Sequence, residues 1–106
     1  MAMIAIGGYS SKMVTVDASV AKSLEELGFT HLEVAGADSA QISAFNKNVR
    51  YWYDGSTPTS SEGHPIFASS ERIVRGIRNI QNLKLISEVG TATMAITLGT
   101  FGKAPA

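Results

Sequence analysis

Between Thr91 and Phe101 the chain alternates strictly, with Ala92, Met94, Ile96 and Leu98 on one side and Thr91, Thr93, Ala95 and Thr97 on the other. Successive side chains of a strand point to opposite faces, so this is the pattern of a half-buried antiparallel strand. The threonines favour the extended backbone through their branched Cβ atoms. A segment of this kind commits the chain to a sheet with one face in a core.

The same grammar runs through the rest of the sequence. Residues 49–65, Val-Arg-Tyr-Trp-Tyr-Asp-Gly-Ser-Thr-Pro-Thr-Ser-Ser-Glu-Gly-His-Pro, open as an aromatic run with period-two alternation and stop at an Asp-Gly. A polar loop with two prolines follows, which is how a strand entering a tight turn is written. If Val49, Tyr51 and Tyr53 face the core, Arg50 and Trp52 share the opposite face. In Ile80–Ser87, Leu83 and Leu85 alternate against Lys84 and Ile86, and Glu88-Val89-Gly90 supplies a turn, so this segment and Thr91–Phe101 read as a C-terminal hairpin. Arg72–Arg75 is a short strand ended by Gly76, and Ile77–Asn82 is a strand or an irregular crossing. Met13–Val16 reads as a strand with Val14 and Val16 inward. His31–Ala35 and Gln41–Phe45 read as two more, the latter setting Ile42 and Ala44 against Ser43 and Phe45. Asp17–Leu27 is the helical candidate: Asp17 or Ser19 can cap it, Val20, Leu24 and Leu27 share a face, and Gly28 ends it. A helix this short is marginal without tertiary packing.

About seven or eight short strands spaced roughly ten residues apart, with one short helix near residues 18–27, favour a mainly β fold, a compact antiparallel β-sandwich or a jelly-roll-like barrel. The 106 residues, 44% hydrophobic and 17% charged, fit a single domain with one core. Residues 1–8 are expected as an N-terminal strand or docking arm, and residues 102–106 as a small polar tail.

Composition narrows the function classes. The absence of cysteine removes disulfides, thiolate metal sites and thiol nucleophiles. Nine basic and nine acidic residues cancel, whereas a nucleic-acid binder normally carries a basic surplus or stripe. Apolar runs fall short of the about 18 residues that span a bilayer, and the apolar start lacks the positive n-region of a secretory signal. Nucleic acid and membrane are therefore not expected as partners.

Asp54, Glu62 and His64 share one loop and invite a catalytic or metal reading, but a metal centre needs three or four ligands at fixed geometry. Asp54-Gly55 is also what turn geometry selects, because Asp tolerates unusual backbone angles and Gly permits positive φ. The serines at 10–11, 60–61 and 69–70 lack a Gly-x-Ser-x-Gly elbow, and the glycines follow no phosphate-binding spacing. Paired carboxylates for glycoside chemistry carry no supporting aromatic signature. The expectation is a non-enzyme without catalytic residues, cofactor or metal. An exposed Trp beside an Arg is a frequent interface anchor, so Arg50 and Trp52 are candidate contact residues, together with Met3, Ile4 and Ile6 of the apolar start and Phe101 near the tail. Trp52, Tyr51 or Tyr53 could instead stack on a sugar.

The stretch Val49–Ile66 resembles small virion-associated proteins of tailed bacteriophages, in which an Arg-aromatic-x-aromatic-Asp-Gly strand is followed by Pro-Thr and a few residues later by Gly-His. A later segment of that group resembles Asn79-Ile-Gln-Asn-Leu-Lys-Leu-Ile86, leading to Gly90 and a final Ala92–Leu98 strand. The resemblance covers residues 48–98, and the first 47 residues match nothing in it. It implies a β-sandwich of the capsid decoration or cement type, made in the host cytoplasm and located in the virion. Its expected partners are the major capsid protein or other virion proteins, with association into a homo-oligomer. A fibre, tail or adaptor component is the alternative within the same particle, and a carbohydrate-binding β-sandwich is the alternative outside it.

Overall fold

A computed structural model describes the backbone of residues 6–101 and the side chains of residues 10–100. In chain order the elements are β1 (Ile6–Val16), β2 (Lys22–Ser23), α1 (His31–Ala35), β3 (Ser39–Ala44), β4 (Val49–Trp52), β5 (His64–Ile66), β6 (Ser70–Arg75), α2 (Ile77–Asn82), β7 (Lys84–Ser87) and β8 (Ala92–Phe101). They form two four-stranded sheets, β1-β8-β3-β6 and β2-β7-β4-β5, with every neighbouring pair antiparallel. The fold is the mainly β arrangement of two stacked antiparallel sheets that the alternation patterns imply.

The core lies between the sheets. Val14 and Val16 of β1, Met94, Ile96 and Leu98 of β8, and Ala40, Ile42 and Ala44 of β3 are buried from the first sheet. Val49 and Tyr51 of β4, Ile66 of β5 and Leu85 of β7 are buried from the second. Even-numbered positions of β8 and β3 therefore face inward, as Thr91–Phe101 and Ile42/Ala44 predict. Each fully buried Ile, Leu or Met side chain contributes about 1.5–3 kcal/mol relative to exposure. Among the described residues the buried polar ones, Ser39 and Ser87, are satisfied: Ser39 Oγ donates to Gly99 O at 3.1 Å and Ser87 Oγ to Val89 O at 2.9 Å.

Four sequence expectations are corrected. The helix expected over residues 18–27 is not formed. Asp17 does cap, its Oδ1 accepting from the N–H groups of Ser19 and Val20, but the chain then extends and Lys22–Ser23 pair with Leu85 and Lys84. Ser23 N–H donates to Glu26 Oε1 at 2.9 Å and Glu26 N–H to Ser23 Oγ at 3.2 Å, around a single helical turn that ends at Gly28. The stripe splits, with Leu24 buried and Val20 exposed. Sheet pairing outweighs a two- to three-turn helix whose intrinsic stability is marginal.

His31–Ala35, expected as a strand, is instead helix α1. Thr30 Oγ1 accepts from Glu33 N–H at 3.1 Å while Glu33 Oε1 accepts from Thr30 N–H at 2.8 Å, a reciprocal capping box. Phe29 before the cap and Val34 in the fourth helical position are both buried, as a hydrophobic staple requires, while Leu32 is 82% exposed. Ile77–Asn82 forms a second short helix, α2, with Ile80 buried.

The C-terminal hairpin is corrected as well, since β7 and β8 lie in different sheets. Residues 88–91 cross from one layer to the other; four extended residues reach about 13 Å, enough for the about 10 Å between stacked sheets. Each strand carries an apolar face, and placing the faces opposite each other buries Leu85 against the β8 layer. Anchors fix both ends of the crossing. Ser87 N–H donates to Asp17 O and Glu88 N–H to Asn48 O, each at 3.0 Å, and Thr93 N–H donates to Asn46 Oδ1 at 2.9 Å. Residues 6–8 of the expected N-terminal arm are paired rungs of β1, from Ile6 opposite Phe101 to Gly8 opposite Gly99. Residues 1–5 and 102–106 lie outside the described residues.

Candidate functional site

Strand β4 separates its side chains as the alternation predicts. Val49 and Tyr51 are buried inward, while Arg50 and Trp52 stand half-buried on the outer face of the second sheet. Arg50 is committed within the molecule. Its Nε donates to Glu88 Oε2 at 2.8 Å and its Nη1 to Gly63 O at 3.1 Å, so it ties the loop before β5 to the crossing after β7. Trp52 meets His64 edge-on, with ring centroids 5.1 Å apart. His64 also stacks nearly parallel on Tyr53 at 5.6 Å and lies 5.4 Å from Tyr51, its cross-strand partner.

This aromatic cluster borders a small hollow of about 190 Å³ beside edge strand β6, lined by Tyr51, Tyr53, Ile73, Val74, Arg75 and Asn79. Burial raises the Tyr51 hydroxyl above its ordinary range, opposed by the positive charge of Arg72. Of the three rings considered as a sugar platform, Tyr51 is buried and His64 covers one face of Tyr53, while Trp52 is half-buried on the outer face.

The loop between β4 and β5 is built from turns. Asp54 Oδ1 accepts from Ser56 N–H at 3.0 Å and Gly55 adopts φ +93°. The Asp54 carboxyl is held below its ordinary value chiefly by that backbone N–H, then by the Ser56 hydroxyl, with His64 a lesser contributor. Thr59 and Glu62 exchange main-chain hydrogen bonds at 3.0 and 3.2 Å. Gly63, at φ +133°, lets the returning chain lie against β4: a Cβ there would sit 3.1 Å from Tyr51 O and 3.2 Å from Arg50 Cβ. Pro58 is fully buried, and Thr57–Ser60, Ala18–Ala21, Lys84 and Ile86 line one groove of about 540 Å³. Ile86 points outward yet is buried. The loop therefore roofs the outer face of the second sheet. Among the described residues no three His, Asp or Glu side chains gather as a metal site.

The outer face of the first sheet is different. Its odd-numbered positions are Ser11, Met13 and Thr15 on β1, Thr93, Ala95 and Thr97 on β8, Gln41 and Ser43 on β3, and Glu71, Ile73 and Arg75 on β6. Charge enters only on β6. Met13 is 62% exposed, and Ile73 and Phe45, which lies one residue past β3 with its N–H on Thr93 O, are exposed as well. Ser11 and Thr97 share a hydroxyl hydrogen bond at 2.9 Å, which ties two rows of the field together. The result is a field of small uncharged residues on β1, β8 and β3, flanked by Met13, Phe45 and Ile73, with Glu71 and Arg75 at its β6 rim.

Of the contact residues expected from sequence, Arg50 and Trp52 lie on the second sheet. Ile6 and Phe101 form a backbone rung of the first, with side chains outside the described residues, as are Met3 and Ile4 altogether. The bare face of the first sheet went unassigned, although its signal is present: no charged residue occurs from Thr91 to Phe101, on either side of the alternation.

Compared with known protein families, curated proteins and solved structures, the chain matches none of them. Fold and surface together define a two-sheet antiparallel β-sandwich with one roofed and one bare outer face.

Proposed function

We propose that this protein is a non-enzymatic structural component of a tailed-phage particle, a capsid decoration or cement protein that stabilises the shell by binding the major capsid protein and associating with its own copies. The observation that carries the reading is the bare outer face of the first sheet. Burying Met13, Ala95 and Phe45 costs no charge desolvation, Glu71 and Arg75 stay at the β6 rim beside Ile73, and a rigid sheet loses little conformational entropy on docking. Contact surfaces centred on uncharged residues with charge at the rim are the common anatomy of protein interfaces. The phage-like Val49–Ile66 pattern supplies the particle, and the bare face supplies the means of adhering to it.

Binding of the purified protein to matched undecorated capsids tests the proposal. Saturable binding is expected, and Ala95→Arg, which sets a charge in the centre of the field, is expected to abolish it while the circular dichroism spectrum stays unchanged. Background-level binding by the wild-type protein refutes the reading.

A further inference from the structure

The hydrogen-bond parity of the first sheet leaves one long strand edge open. Phe45 N–H donates to Thr93 O, so odd-numbered residues of β8 bond toward β3. Gly76 N–H donates to Asp38 O and Ser69 N–H to Ala44 O, so even-numbered residues of β3 bond toward β6. In an antiparallel sheet the peptide groups of consecutive residues point to opposite sides. Even-numbered residues of β8 therefore bond toward β1, through the pairs Val16–Ala92, Val14–Met94, Lys12–Ile96 and Ser10–Leu98. That leaves the N–H and C=O groups of Ser11, Met13 and Thr15 on the outer edge of β1, which is a sheet edge. Among the described residues no hydrogen bond reaches them.

Natural proteins blunt such edges with Pro, charge, bulges or very short strands. Strand β1 is 11 residues long, has no Pro and carries its bulge only between Gly8 and Ser10; its one charge, Lys12, is turned back over the Phe29 ring, 5.9 Å from its centroid, and leaves the edge itself uncharged. We infer that this edge pairs antiparallel with the same edge of a second copy, about a two-fold axis at Met13. That register is self-complementary. Met13 meets the partner's Met13, and Ser11 meets the partner's Thr15 twice over, so all three open residues in each copy are satisfied. On the outer face the two half-exposed methionines cover each other and the hydroxyls of Ser11 and Thr15 come together.

On the other face Lys12 lies opposite the partner's Val14, not the partner's Lys12, so like charges do not meet. A groove of about 470 Å³ runs along this edge, lined by Met13, Val14 and Thr15 together with Asp17, Lys22, Glu26 and Leu27. Its two carboxylates outnumber its one ammonium, Lys22, so the groove offers the partner's Lys12 a net opposite charge. The pairing makes one continuous eight-stranded sheet with a doubled bare face. It deepens the self-association named in the proposed function and rests on that part of it alone; capsid binding is measured separately, so each can fail without the other.

Backbone amide exchange measured by NMR, with sedimentation over a concentration series, tests the pairing. A reversible dimer is expected. The amides of Ser11, Met13 and Thr15 are expected to exchange freely in dilute solution and to become protected as dimer forms, while those of Lys12 and Val14 stay protected throughout. Met13→Pro removes only an outward N–H, which an edge strand tolerates, and is expected to abolish the dimer with the circular dichroism spectrum unchanged. Should that variant misfold, Met13→Lys sets two ammonium groups face to face and is expected to give the same loss. A monomer at the highest soluble concentration overturns the inference. So do a dimer that leaves the three amides unprotected, a dimer that survives the substitution in a folded variant, and protection of the three amides in the dilute monomer, which assigns the edge to another segment of the same chain.

Discussion

Truncating Ile96 to alanine tests the core most directly. Ile96 is fully buried on β8, between Lys12 of β1 and Ile42 of β3 in the sheet and facing the second sheet across the core. The substitution removes three carbon groups, worth about 2.4 kcal/mol at about 0.8 kcal/mol each. Neighbours on β1 and β3 are held by ladders on both sides of β8 and relax little, so a residual cavity of about 50–80 Å³ adds about 1–2 kcal/mol at about 24 cal/mol per Å³. The expected loss is about 3.5–4.5 kcal/mol, against a total of about 5–15 kcal/mol for a domain of this class. Urea unfolding followed by tryptophan fluorescence, read through Trp52, measures it; the midpoint falls while the slope is unchanged. Thr97→Ala, one residue along on the bare face, is the control and is expected to cost about 0.5 kcal/mol or less. A loss below about 1 kcal/mol at Ile96, or equal losses at both positions, would refute the inward assignment of the even-numbered face.

Gly63→Ala is expected to destabilise by about 1–3 kcal/mol, because φ +133° is foreign to an L side chain and the new Cβ meets Tyr51 O at 3.1 Å; a melting temperature equal to wild type refutes the close approach. Acid sensitivity follows from four carboxylates held below their ordinary values by hydrogen bonds: Asp17 chiefly by the Ser19 hydroxyl, Glu26 by Ser23 N–H, Glu33 by the Ser10 hydroxyl and Asp54 by Ser56 N–H. Groups with depressed folded values stabilise fully above their unfolded values of about 4 and lose that contribution as pH falls through the folded ones. The melting temperature is therefore expected to decline below about pH 4, less steeply in the Asp17→Asn, Glu33→Gln double variant; identical profiles refute these contacts as the source.

How much of this was legible in the sequence depended on what each residue answers to. Ala92–Leu98 and Val49–Tyr51 are strands of period two whose inner faces fill one core, and local alternation states that outright. Asp54-Gly55 announces its turn through its own side chain and backbone freedom. The capping box Thr30-x-x-Glu33 was equally local, but the apolar spacing of Leu32 and Val34 read as alternation and masked it. Asp17 drew the opposite error, since its cap is real and the pairing of Lys22–Ser23 with a strand some sixty residues away stops the helix. The split of β7 and β8 between sheets was beyond local reading for the same reason. It is decided by which faces meet across the core and by Asn46, Asn48 and Asp17, which receive the crossing chain. Arg50 looked like a free anchor because nothing near it in sequence reveals Glu88 and Gly63 as its partners.

The roof that residues 57–60 lay over the second sheet, with Pro58 sealed beneath it, makes the molecule a tile with a front and a back. The exposed Gly55-Ser56 tip belongs to the same loop as that roof, so it is part of the second sheet's layer and not of the bare one. A peptide spliced in at that tip is therefore carried on the display side of the tile, clear of the surface by which it is laid down.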